Sequence, residues 1–120
     1  MILSIDTSTN SSLCLVLSEG DSELASKTVE ANHAQAEKLL PLLEVLLSKT
    51  GRELSDLKKI VVADEGEGFT SLRIGIITAN ALAFALDIPV ETPKGNAIKA
   101  KGIRIVAPRY NRPPSITKKA

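Results

Sequence analysis

The order of apolar and polar segments predicts an α/β fold, a mixed sheet of about five strands carrying two main helices. Three observations support this. The chain opens between Met1 and Val29 with three short apolar runs separated by turn residues, the pattern of an antiparallel meander. A leucine-rich stretch, Leu39 to Leu47, and a nearly uncharged one, Leu72 to Leu86, are too long for strands and carry helical spacing. Between and after them come the short β-branched runs Lys59 to Ala63 and Ile88 to Val90.

The elements follow in order. Met1 to Asp6 is a buried strand opening onto the polar turn Asp6-Thr7-Ser8-Thr9. Ser12 to Leu17 is a second strand, and Glu19-Gly20-Asp21 a hairpin turn into a third, Leu24 to Val29. Asn32 is placed to cap the first helix, which stops at Gly51. Pro41 inside it predicts a kink or a later start. Lys59 to Ala63 is a fully buried strand, Asp64 to Gly68 a loop, and Ser71 to Leu86 the second helix. Ile88-Pro89-Val90 begins a fifth strand, and Ile103 to Val106 forms a sixth short one. Three strands, helix, strand, helix, strand is the layout of a ribonuclease-H-like half, whose mixed sheet carries helices on its faces.

At 120 residues the chain is long enough for a single core. The expected division is one domain over residues 1–107 and a basic, proline-rich tail over residues 108–120. No apolar stretch is long and clean enough to span a bilayer. Met1 to Asp6 lacks the basic leader of a signal peptide, so the expectation is a cytoplasmic chain without a membrane partner. Cys14 is the only cysteine, which excludes an internal disulfide and a cysteine zinc site. The net charge of +1 conceals a division. All fourteen acids lie between Asp6 and Glu91 with seven bases among them, a net of −7; from Lys94 onward there are eight bases and no acid. Such a basic segment meets RNA or an acidic protein surface, of which the chain's own acidic part is one.

Candidate chemistry is sparse. Asp6, Thr7, Ser8 and Thr9 end the first strand, where hydroxyls and amides can hold phosphate and a carboxylate can hold magnesium through water. The same residue types also populate ordinary turns. Glu65-Gly66-Glu67-Gly68 precedes a helix N-terminus, but its acids repel phosphate. Asp6, Glu37 or Glu44, and Asp64 could converge on two magnesium ions, as in a small ribonuclease-H-like nuclease. His33 is the only histidine and no G-x-S-x-G turn accompanies it. Phe69, Phe84 and Tyr110 are the only aromatics, too few for base-stacking platforms.

The helices carry the sharper signal. Leu72 to Leu86 holds one charge, Arg73, and a helix apolar all round must be covered all round. Gly75, Ala79 and Ala83 stand four apart, a strip of small residues that would let a partner helix approach closely. The first helix has more leucines, among them Leu39, Leu42, Leu43 and Leu46, than one stripe against a sheet requires. These residues, with Arg73 and Ile76, are the expected partner interface, and a surface of that kind marks association.

The runs Ile2-Leu3-Ser4-Ile5-Asp6-Thr7-Ser8-Thr9, His33-Ala34 through Glu37-Lys38-Leu39-Leu40-Pro41, Phe69-Thr70-Ser71-Leu72-Arg73-Ile74-Gly75 and Ile88-Pro89-Val90 resemble, in the same order, the N-terminal half of the bacterial TsaB family, also called YeaZ. The resemblance implies half of an actin-like ATPase (ASKHA) fold and a noncatalytic role in forming threonylcarbamoyladenosine on tRNA. It further implies pairing through the two helices with a TsaD-like catalytic subunit, joined by a TsaE-like ATPase. No cofactor is then required by this chain, ATP and magnesium belonging to the partner or the interface. A homodimeric nucleotide-binding module is the other reading. Two departures stand out. The family's Gly-Pro-Gly-Ser-Phe-Thr-Gly loop reads Glu65-Gly66-Glu67-Gly68-Phe69-Thr70-Ser71 here, and members are about twice as long. The segment Pro108-Arg109-Tyr110-Asn111-Arg112-Pro113 resembles the family's C-terminal end, so the expectation is an internally shortened member.

Overall fold

The structure, a computed structural model, describes residues 1–9, 11–32, 34–66, 69–95, 98–100 and 103–105. Its elements are β1 (Ile2–Asp6), β2 (Ser12–Glu19), β3 (Ser22–Glu30), α1 (Gln35–Thr50), a 3-10 turn (Leu54–Asp56), β4 (Lys59–Val62), α2 (Phe69–Leu86), β5 (Val90–Glu91), β6 (Ile98–Ala100) and β7 (Ile103–Ile105). Five strands form one sheet in the order β3-β2-β1-β4-β5, and β6 and β7 form a separate antiparallel pair. The meander β1-β2-β3 is antiparallel, while β4 joins β1, and β5 joins β4, in parallel. The sheet is therefore mixed. The expected tail, residues 108–120, lies outside the described residues, as does His33.

Side chains alternate across each strand, and the alternation fixes where the helices sit. Leu3 and Ile5, Leu13, Leu15 and Leu17, Ile60 and Val62, and Val90 are all buried and share one side of the sheet. Leu39, Leu43, Leu46 and Leu47 of α1 and Leu72, Ile76, Ala79 and Ala83 of α2 join the same core. Both helices thus cover one face. Each helix forms a crossover between parallel strands, β3 to β4 and β4 to β5, running the same way across the sheet.

Three boundaries differ from expectation. Asn32 does not cap α1; the helix begins three residues later, after Ala34, which makes no side-chain cap. Ala31 is still tied to β2 through its N–H to the Ser11 carbonyl, 2.9 Å, and Ala34 N–H turns back to Ala31. Asn32 is therefore occupied by the exit from β3. Second, α2 starts at Phe69 rather than Ser71. Third, the fifth strand is Val90–Glu91, because Ile88 N–H is spent closing α2 on the Ala83 carbonyl, 3.0 Å. Gly51, with φ of 67°, ends α1 as anticipated, and the Arg52 N–H reaches the Leu47 carbonyl at 3.0 Å. The pair β6–β7 extends the expected sixth strand; Ile98-Lys99-Ala100 reads as basic linker in the sequence.

Arg52, just past α1, donates to the Glu19 carboxylate at the end of β2, 2.8 Å. The hydrogen bond first, and the charge second, hold the Glu19 carboxyl below its ordinary value. A carboxyl depressed in the folded state adds stability above the ordinary glutamate range and loses it as pH falls through the depressed value. Glu19 is exposed and Arg52 half-buried at the surface, so the effect is small. Glu19→Gln is expected to lower the urea midpoint slightly near neutral pH, and the gap from the parent should close on acidification; a gap independent of pH would contradict this origin.

Candidate functional site

The carboxyl ends of β1 and β4 lie side by side, and the N-terminal part of α2 packs over them. This is where parallel strands of an open α/β sheet usually present a ligand. The residues that arrive there are Asp6, Thr7, Ser8 and Thr9 from the first turn, Asp64 and Glu65 from the loop after β4, and Ser71 and Gly75 from α2. Two of them hold the turn through local hydrogen bonds. Asp6 Oδ1 accepts the Ser8 N–H at 2.8 Å, and the Thr9 and Ser12 hydroxyls share a hydrogen bond of 2.8 Å. Thr7 is fully buried. Its hydroxyl lies against Gly75 and finds no hydrogen-bond partner among the described residues.

Two glycines make this closeness possible. A Cβ on Gly75 would collide with the Thr7 hydroxyl, and one on Gly66 would collide with the backbone of Ser8. The loop and the helix are thus pressed onto the turn. Asp64 is buried there with Glu65 beside it, and the Thr7 hydroxyl lies against α2. Gln35 is a residue that the sequence reading missed. It is fully buried, and its Nε2 donates to the Thr9 carbonyl at 3.4 Å, joining the first turn of α1 to the same place. The signal was present: Gln35 occupies the row of Leu39 and Leu43, an inward row where a polar residue needs a reason.

The nuclease constellation is not assembled. Asp6 is exposed at the end of β1 and Glu37 and Glu44 on α1, while Asp64 is buried, and no three His, Cys, Asp or Glu among the described residues are grouped to hold a metal.

The expected interface residues also require correction. Leu39, Leu43 and Leu46 of α1, and Gly75, Ile76, Ala79 and Ala83 of α2, are buried against the sheet. Gly75 faces Thr7, just past the end of β1, and Ala79 and Ala83 are buried in the core. Leu42 is half-buried and Arg73 exposed. The apolar surface that the sequence led one to expect is nonetheless present, made by other residues. Ile77 is 66% exposed and Phe84 68%, with Ala81 and Ala85 exposed between and beside them. On α1, Leu40 is 49% and Val45 57% exposed. The two helices touch. No helix among the described residues is long and apolar enough to cross a membrane.

Strand order, mixed pairing and the two crossover helices define the ribonuclease-H-like half of an actin-like ATPase (ASKHA) fold. Comparison with known proteins narrows this. Residues 26–92 match the family model described as TsaD, tRNA N6-adenosine threonylcarbamoyltransferase. The tRNA threonylcarbamoyladenosine biosynthesis protein TsaB of Bacillus subtilis is 36% identical over 89 residues, 74% of this chain and 38% of that protein. The tRNA N6-adenosine threonylcarbamoyltransferase of Chromobacterium violaceum is 41% identical over 61 residues, 50% of this chain and 18% of that protein. The crystal structure of YeaZ from Pseudomonas aeruginosa superposes with a TM-score of 0.68 at 32% identity, over 76% of this chain and 41% of that one. The chain belongs to the TsaB (YeaZ) family. It spans about two fifths of the length of the relatives it matches.

The Thr7–Gly75 contact yields a prediction. Gly75→Ala is expected to lower stability by about 1–3 kcal/mol through overpacking. Thr7→Ala in the same chain should recover most of that loss. Thr7→Val, which replaces an unpartnered hydroxyl by a methyl group, should be neutral or stabilising. Urea denaturation of the parent, the two single alanine variants, their combination and Thr7→Val checks this, and strictly additive effects of Gly75→Ala and Thr7→Ala would exclude the contact.

Proposed function

We propose that this chain is a noncatalytic docking subunit in the formation of threonylcarbamoyladenosine on tRNA, pairing through the outer surfaces of α1 and α2 with a TsaD-like catalytic subunit that a TsaE-like ATPase joins. The observation that carries the reading is the outer face of α2. Ile77, Ala81, Phe84 and Ala85 leave a helix with one charge, Arg73, apolar on its solvent side as well as on its core side. Burying an exposed isoleucine or phenylalanine is worth about 1.5–3 kcal/mol, so two such side chains supply a substantial part of an interface. The names of the relatives support the pathway: one is a threonylcarbamoyladenosine biosynthesis protein and another a threonylcarbamoyltransferase.

In this reading the contact set is Leu40, Leu42 and Val45 on α1 with Arg73, Ile77 and Phe84 on α2. The chain itself requires no cofactor, and ATP with magnesium acts at the partner subunit or the interface. The engaged hydrogen bonds of the Asp6 to Thr9 turn support that assignment. A second copy of the chain could occupy the same surface, which the experiment below separates from the heteromeric complex.

Co-expressed with a TsaD-like subunit, the chain is expected to elute with it as one species in gel filtration. Ile77→Glu and Phe84→Glu should each weaken the complex by at least about tenfold, the factor given by about 1.4 kcal/mol. Both positions are exposed, so melting temperatures should stay unchanged. Separate elution of the parent chain, or undiminished binding by both variants, would overturn the reading; a dimer of the chain alone that both variants dissociate would assign the surface to self-association.

A further inference from the structure

The two helices lie on one side of the sheet, and among the described residues no helix covers the other. That open face is built from Ile2, Ser4, Cys14, Val16 and Val61, all half-buried. Its central row runs Ser26, Val16, Ser4, Val61, Glu91 across all five strands, with nothing larger than valine in the middle. A smooth floor of this kind lets a chain segment lie close against the sheet. Its rim is acidic. Asp6, Glu23, Glu30 and Glu91 share this face, against one base among the described strands β1 to β5, Lys59, which is already paired with Glu91 at 3.2 Å.

The complementary charge is carried by the chain itself. Residues 106–120 hold Arg109, Arg112, Lys118 and Lys119, no acid, and the apolar Val106, Tyr110 and Ile116. The described chain ends at Ile105 in β7, which contacts β5, the edge strand of the sheet. Reach is sufficient: fifteen residues extend up to about 50 Å, and five strands about 4.8 Å apart span roughly 20 Å. RNA does not suit an acidic rim, since phosphates and carboxylates repel.

We infer that residues 106–120 dock across the open face of the chain's own sheet, with Tyr110 over the Val16, Ser4, Val61 row and the arginines toward the acidic rim. Docking there leaves the outer surfaces of α1 and α2 free, so the inference stands apart from the proposed partner.

Cys14, the only thiol in the chain, lies on this face beside Asp6 and reports on its coverage. In the full chain its reaction with a disulfide reagent should be slow. The combined change Arg109→Glu, Tyr110→Ser and Arg112→Glu should speed it by about tenfold, as loss of about 1.4 kcal/mol of docking predicts. Molar salt should speed the parent but not the variant. Tyr110→Cys, oxidised in dilute solution, should form a disulfide with Cys14 within one chain. Equal thiol rates in parent and variant would overturn the inference, as would disulfides formed only between chains, which would make the occupant a second copy. Loss of tRNA binding in the variant with an unchanged Cys14 rate would assign the segment to RNA and overturn it too.

Discussion

The close approach of β1 to α2 at Thr7 and Gly75 sets the rest of the molecule. Residue 75 lies where any Cβ would strike the Thr7 hydroxyl, so the helix can rest on the strand end only with glycine there, turned inward. This fixes the rotation of α2 about its axis. At about 100° per residue, positions 77 and 84 then lie roughly 180–200° away from Gly75, on the outside. The burial pattern agrees, with Ile76, Ala79 and Ala83 in the core and Ile77 and Phe84 in solvent. A packing requirement at one end of a strand thus decides which apolar residues remain for a partner.

The same geometry explains why the strand-end turn is a structural hub rather than an open cradle. Four segments meet there: the turn itself, the loop that brings Gly66 against Ser8, the second turn of α2, and the first turn of α1 through Gln35. Side-chain oxygens at Asp6, Thr9 and Ser12 are spent on local hydrogen bonds. The fold places a site where ligands commonly bind, and the residues of this chain fill it with their own packing. On the proposed reading the chain works by association through the helix surfaces.

Much of the architecture was legible because it rests on short-range signals. Alternation of Leu13, Leu15 and Leu17 with Cys14 and Val16 marks a strand, Glu19-Gly20-Asp21 marks its turn, and Gly51 marks a helix end. The resemblance in the runs from Ile2 to Val90 carried the family. The facing of α2 was not legible, for a physical reason. Its apolar residues surround the axis, so composition gives no direction, and Gly75, Ala79 and Ala83 look alike whether they admit a partner helix or a strand of the same chain. Only the tertiary contact with Thr7 tells them apart. In α1 the leucines at 39, 43, 46 and 47 all serve the core, while Leu40 and Val45 on its flanks are left exposed. The surplus was readable; its members were not. One-sided covering of the sheet also depends on crossovers that no local pattern reports.

The central claim is that the outer face of α2 is bare in the lone chain and covered in the assembly. The chain has no tryptophan, so Phe84→Trp places a single reporter on that face. Its emission in the isolated, dilute chain should be that of a solvated indole, readily quenched by iodide, and should shift to the blue with loss of quenching when a TsaD-like subunit is added. Blue, unquenched emission already present in the monomeric chain, or a solvated signal that persists in saturating partner, would contradict the account.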